Sequence, residues 1–214
     1  MNINKYIDHT NLKPYSSKKD IERLCDEAIK YNFASVCVNP YYVPLAHELL
    51  IRSNVKVCTV IGFPLGQNTK EIKIMETKDA INNGADEIDM VINIAALKDK
   101  YYDYVEDEIK QIKNIVQEKI LKVIIETCYL EHDEIIKITE ICNKVGVNFI
   151  KTSTGYGTSG AKVEDIELIM EHKNKNIQVK ASGGIKTRTH AKDFLKKGVT
   201  RIGTSNGIEI MEES

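Results

Sequence analysis

No apolar run in this 214-residue chain approaches the roughly 18 residues that a membrane-spanning helix needs. The opening stretch, Met1-Asn-Ile-Asn-Lys-Tyr-Ile-Asp8, holds no apolar h-region, so no secretory signal is expected. Neither sign of charge is in excess: 30 Lys and Arg stand against 31 Asp and Glu, a net of −1. No global field would then draw the chain to nucleic acid or to an anionic membrane. The five cysteines (Cys25, Cys37, Cys58, Cys128, Cys142) form no C-x-x-C pair, and the five histidines form no H-x-x-x-H pair. Those gaps argue against a disulfide framework and against a protein-built zinc site. No metal is expected, and the thiols read as reduced in a cytoplasmic protein. No linker, low-complexity tract or composition break appears, so residues 1–214 read as one domain with a large core.

What is present is a regular alternation of short β-branched runs with amphipathic stretches. Strands are expected at Tyr6–Thr10, Ala34–Val38, Lys56–Gly62, Glu87–Asn93, Lys122–Thr127, Phe149–Thr154, Ile177–Ser182 and Arg201–Ser205. Several are nearly continuous in Val and Ile, as strands covered on both faces are. Ile21, Leu24, Cys25, Ala28 and Ile29 fall on one helical face, behind a capping-box pattern at Ser17 and Asp20. Asn83-Gly84, Gly146 and Gly198 sit where helices should end in left-handed caps. Eight β/α units in one unbroken chain predict a closed (β/α)8 TIM barrel, with an open doubly wound sheet as the competing architecture.

Two lysines stand out. Lys151 lies in Phe149-Ile-Lys-Thr-Ser-Thr-Gly155 and Lys180 in Gln178-Val-Lys-Ala-Ser-Gly-Gly184. A lysine inside a core strand is costly, because a buried ammonium lacks water. On neighbouring parallel strands the two would stand about 5 Å apart. Two unit charges at that distance repel by roughly 3 kcal/mol at an effective dielectric near 20. That is about two pKa units, against an ordinary lysine value of about 10.4. One cation could so leave its neighbour nucleophilic at neutral pH, which points to imine chemistry on a carbonyl. The bland alternative is that one lysine turns outward or pairs with a carboxylate such as Asp89, which would block attack. Asp89, in an otherwise apolar run, is either a proton carrier or a charge partner.

The remaining strand ends are unusually polar, and chemistry in a parallel barrel collects there. Gly155-Tyr-Gly-Thr-Ser-Gly160 formally matches the dinucleotide fingerprint, but it follows the sixth strand and lacks the acidic residue about 20 positions on. A loop whose backbone approaches the substrate is the better account, and no cofactor is expected. Gly183-Gly184 and Gly203-Thr-Ser-Asn-Gly207 end the last two strands, where barrels often hold phosphate. Cys37 and Cys58 read as buried structural thiols.

Taken together, Asp8-His-Thr-Asn-Leu-Lys13, Ser35-Val-Cys-Val-Asn-Pro40, Val57-Cys-Thr-Val-Ile-Gly-Phe-Pro-Leu-Gly66, Gly84-Ala-Asp-Glu-Ile-Asp-Met-Val-Ile-Asn93, Lys122-Val-Ile-Ile-Glu-Thr127 and the two lysine segments resemble the deoxyribose-phosphate aldolases along nearly the whole chain. The resemblance implies a metal-free class I lyase on a TIM barrel. Such an enzyme interconverts 2-deoxy-D-ribose 5-phosphate with D-glyceraldehyde 3-phosphate and acetaldehyde, in deoxyribose phosphate catabolism. It implies Lys151 as the Schiff-base lysine, Asp89 as the proton-relay aspartate and Lys180 as the assisting lysine. Gly183, Gly184 and Ser205 match phosphate-binding positions, and Asp8 and Thr10 match positions lining the sugar pocket. Thr154, Gly155, Thr204 and Asn206 are expected beside them in the substrate and phosphate site. Asn206 stands where many relatives carry Ser or Ala, which implies altered phosphate affinity. The chain stops at Ser214 without the tyrosine-bearing tail that some members use. Family habit implies a homodimer or higher homo-oligomer. The readings in competition are another Schiff-base aldolase on a sugar phosphate, a sugar-phosphate isomerase, and a non-catalytic sugar-phosphate-binding barrel.

Overall fold

The computed structural model describes residues 2–213. Met1 and Ser214, the outer ends of the stretches read for a leader and a tail, lie outside the described residues. Eight parallel strands close into a barrel in chain order. They are β1 (Ile7–Asn11), β2 (Ser35–Val38), β3 (Lys56–Ile61), β4 (Glu87–Val91), β5 (Ile120–Ile124), β6 (Phe149–Lys151), β7 (Gln178–Ser182) and β8 (Arg201–Thr204). The open-sheet alternative is thereby excluded: β8 pairs with β1 through Ile7 and Ile202, Asp8 and Gly203, His9 and Thr204. Around the ring run α1 (Lys18–Tyr31), α2 (Val43–Leu50), α3 (Lys70–Asn82), α4 (Ile94–Lys98), α5 (Tyr102–Val116), α6 (His132–Val145), α7 (Val163–His172), α8 (Arg188–Lys196) and α9 (Gly207–Glu212). Among the described residues, no helix is long and apolar enough to cross a membrane.

Local chemistry sets the helix ends. Ser17 caps α1 with the expected capping box: Asp20 returns the bond to the Ser17 amide. The helix-to-strand turns are closed by paired bonds. After α3 the Gly84 N–H reaches Ile81 O and the Ala85 N–H reaches Ala80 O, at 3.1 and 3.0 Å. Gly84 sits at φ +103°, and a Cβ there would meet the His47 ring at 2.4 Å, so only glycine suits the turn.

Strand alternation splits the core in two. Side chains such as Val36, Val57, Ile88, Met90, Val123, Ile150, Val179 and Ile202 face the helices and form one continuous apolar shell. The alternate residues face the barrel axis. There a small apolar group (Leu12, Cys37, Cys58, Val60) adjoins charged residues. The axis is therefore charged where most barrels stack Val, Ile and Leu.

Candidate active site

The axis holds a cluster of seven buried or nearly buried charges. Lys122, Lys151 and Lys180 all converge on Asp89. Lys151 Nζ donates to Asp89 Oδ2 at 2.9 Å and Lys180 Nζ to the same oxygen at 2.8 Å. Lys122 Nζ donates to Asp89 Oδ1 at 2.8 Å and lies 2.6 Å from Glu87. Lys180 also pairs with Asp8 at 2.5 Å, and Arg201 spans Asp8 and Glu87 at 2.6 and 3.1 Å. Register explains the convergence. Lys151 pairs with Lys180 across β6 and β7, Lys180 with Arg201 across β7 and β8, and Asp89 with Lys122 across β4 and β5. Residues in register on neighbouring parallel strands share a face. Gly203 makes room: a Cβ there would stand 3.0 Å from Lys180 Cε.

The two lysines singled out in the sequence thus meet, but through a shared carboxylate. Burial alone would raise the Asp89 pKa. The Lys122, Lys151 and Lys180 charges outweigh it and hold Asp89 well below the usual carboxylate range. Burial likewise disfavours charged Lys180, yet Asp8 and then Asp89 override it and keep Lys180 protonated. Lys122 is raised well above its ordinary value, burial being overcome chiefly by Asp89.

These directions set a pH dependence. A carboxylate with a depressed folded pKa stabilises the fold fully above its unfolded value of about 3.9 and loses that contribution as pH falls through the folded value. The raised lysines contribute fully below about 10.4 and lose it only as pH climbs through their folded values. His9, whose burial lowers its pKa despite Glu27, adds a smaller loss that begins near pH 6.5. Urea titrations across pH should therefore show the main acid loss of stability below about pH 4. A main transition near pH 6 would contradict the assignment of that loss to Asp8 and Asp89.

A cavity of about 590 Å³ opens at the C-terminal ends of the strands. Of the residues read from the sequence, Thr10, Lys151, Thr154, Gly155, Gly183, Gly184, Thr204, Ser205 and Asn206 line it. Asp8, Asp89 and Lys180 do not. They lie beneath it on the barrel axis, so Asp8 meets Lys180, Arg201 and the Ser35 hydroxyl where a sugar-lining position was expected. Of the three lysines on Asp89, Lys151 is the one that reaches the cavity. At its other end, Gly183 and Gly184 both adopt positive φ (+84° and +75°), a backbone that glycine adopts without a Cβ penalty. The Thr204 hydroxyl donates to Ile185 O at 2.6 Å and accepts from the Asn206 N–H at 2.9 Å, tying the last two loops together.

The Gly155–Gly160 loop does not open a helix; α7 starts only at Val163. Gly160 packs on Gly183 so closely that a Cβ would fall 2.0 Å from Gly183 O. Its glycines thus serve loop-against-loop packing, which removes the dinucleotide reading. Cys37 Sγ, Cys58 Sγ and an Asp89 oxygen lie within 4.8 Å of one another, a spacing that could hold a cation. Ammonium groups already bind there, however: Lys122 Nζ is 3.2 Å from Cys58 Sγ. Lys122, Glu87 and Arg201 were missed because each was read at or near a strand start, where a charge meets solvent. Strand β5 in fact starts at Ile120, which puts Lys122 mid-strand.

A family model described as DeoC/LacD family aldolase matches residues 3–208. The chain belongs to this family. The aldolase is 54% identical over 215 residues to the deoxyribose-phosphate aldolase of Clostridium tetani (strain Massachusetts / E88), covering all of both chains. It is 53% identical over 216 residues to that of Thermococcus gammatolerans, covering 99% of this chain and 96% of the relative. Among solved structures, an aldolase named QR15 superposes with a TM-score of 0.94 at 45% identity, covering 99% of this aldolase and 95% of that chain.

Proposed function

We propose that this aldolase interconverts 2-deoxy-D-ribose 5-phosphate with D-glyceraldehyde 3-phosphate and acetaldehyde, with Lys151 as the Schiff-base lysine. The observation that carries the reading is the position of Lys151. It joins the cavity to the buried cluster, whereas Lys122 and Lys180 are enclosed within it. The cluster sets four cations (Lys122, Lys151, Lys180, Arg201) against three carboxylates (Asp8, Glu87, Asp89). Lys151 contacts one carboxylate, while Lys180 contacts two and Lys122 three, so Lys151 is the amine placed to attack.

In the cleavage direction the Lys151 amine adds to the C1 aldehyde, and water leaves to give a protonated imine. The C3 hydroxyl loses its proton and the C2–C3 bond breaks. Its electron pair flows into the imine, giving an enamine and free glyceraldehyde 3-phosphate. A proton then adds to C2, and hydrolysis releases acetaldehyde and the free amine. Asp89, ionised beneath the cavity and within 2.9 Å of both Lys151 and Lys180, moves the proton through a water with help from Lys180. The Gly183–Gly184 turn, Ser205 and Asn206 take the phosphate and orient the chain so that C1 meets Lys151. Thr10, Thr154 and Gly155 line the sugar between them.

Borohydride added with deoxyribose 5-phosphate should reduce the imine to a stable amine on Lys151, located by peptide mass mapping. An adduct on another lysine would overturn the assignment. No adduct, with tight ligand binding, would favour an isomerase or a silent sugar-phosphate-binding barrel. The thiols are unbridged and four of the five are buried, which fits the reducing cytoplasm as the place of action. We also propose a homo-oligomer. Ile72 and Met75, three apart on α3, and Leu65 just before it are exposed apolar side chains that self-association would cover. A monomeric mass by light scattering would refute it.

A further inference from the structure

We infer that Glu126 is a positioning residue that makes Thr154 an obligate hydrogen-bond acceptor, and so selects acceptor aldehydes that carry a hydroxyl beside the carbonyl. The inference rests on the proposed reaction and deepens it.

Glu126 follows β5 at the barrel mouth in a left-handed conformation (φ 53°, ψ 66°) that a residue with a side chain adopts at a cost. Its carboxylate is 2% exposed and, among the described residues, has no ion-pair partner, unlike Asp8, Glu87 and Asp89. It is held by the loop that follows β6. Glu126 accepts from the Thr154 N–H at 3.1 Å and from the Thr154 hydroxyl. Gly157 packs on the same side chain: a Cβ there would lie 3.2 Å from Glu126 Cδ and 2.6 Å from Cys128 Sγ. The strained backbone and the buried carboxylate thus serve one segment, Thr154–Gly157, which starts three residues after Lys151.

The consequence concerns a single hydrogen. A threonine hydroxyl has one O–H and two lone pairs. The Thr154 O–H is committed to Glu126, and one lone pair accepts the Tyr156 N–H at 3.0 Å. Thr154 lines the cavity, so what its oxygen can offer a ligand is the second lone pair. An acceptor-only group rewards a ligand O–H and gives nothing to a C–H in the same place. Glyceraldehyde 3-phosphate carries such a hydroxyl next to its aldehyde. The loop is anchored at its far side as well, because the Tyr156 hydroxyl donates to Leu12 O at 2.7 Å beyond β1.

Glu126→Gln tests this with little change of shape. An amide that still accepts from the Thr154 N–H turns its NH2 to Thr154 Oγ1 and frees the hydroxyl hydrogen toward the cavity. Initial rates of aldol addition with acetaldehyde as donor are compared for D-glyceraldehyde 3-phosphate and for its 2-O-methyl ether, whose oxygen can accept a hydrogen bond but cannot donate one. In E126Q, kcat/KM for the ether relative to the hydroxylated acceptor should rise about tenfold or more, because the freed Thr154 O–H can now donate to the ether oxygen. Thr154→Ser should keep the native preference and Thr154→Val should lose it. E126Q combined with Thr154→Val should be no worse than Thr154→Val alone. Equal losses for both acceptors in E126Q would overturn the inference and leave the reaction intact. No aldol product from the native protein with either acceptor would instead refute the reaction itself.

Discussion

Lys151→Met should abolish the aldol reaction and leave the barrel standing. Removing the nucleophile of a covalent mechanism costs on the order of 10^4- to 10^6-fold in rate, because the remaining groups act only on the intermediate it no longer forms. The fold should tolerate the change for a specific reason. Asp89 keeps Lys122 on one oxygen and Lys180 on the other, so its charge stays compensated. The cluster then holds three cations and three carboxylates, and methionine fills most of the space of the lysine chain. Unfolding free energy should stay within about 1 kcal/mol of the native value or rise. Activity assays with urea titration on the same preparation check both halves. An inactive variant that had also unfolded would say nothing of chemistry, and an active one would end the assignment of Lys151.

Asp89→Asn should do the opposite and damage stability and turnover together. Three buried lysines share this carboxylate, and no other acid contacts all three. Breaking a buried ion pair from one side costs about 3–5 kcal/mol, since the abandoned charge remains in a poor solvent. For a chain of this length that lowers Tm by roughly 10 °C. Loss of the relay should cost a further 10^2- to 10^4-fold in kcat, estimated roughly. Calorimetry and rate measurements at a temperature where the variant is folded separate the two effects. A variant as stable as the native protein would mean that Asp89 does not compensate the buried lysines.

The ring of strands was legible because each β-branched run is short and each is followed by an amphipathic stretch, a rhythm that parallel pairing requires. Lys151 and Lys180 were legible because they interrupt such runs midway. Lys122 does the same within Ile120–Ile124, but Ile120 and Leu121 follow a charged stretch and the expected strand began only at Lys122. The error of two residues hid a third lysine. Asp8 was legible as a polar strand residue, yet whether it faced the cavity or the axis depended on register, which no local pattern states. Glu126 was legible as a polar strand end, but its left-handed backbone and its bond to Thr154 arise from the meeting of two loops. Long-range pairing decides such features, and the one-dimensional pattern cannot hold them.

Heat should act unevenly on a barrel centred on ions. Hydration of charged groups becomes less favourable as temperature rises, so the penalty for keeping Asp8, Glu87, Asp89 and their partners dry shrinks on warming. The apolar shell between strands and helices gains nothing comparable. Near the melting point the outer helical ring should therefore loosen first, with amides of the strands around the axis the last to exchange.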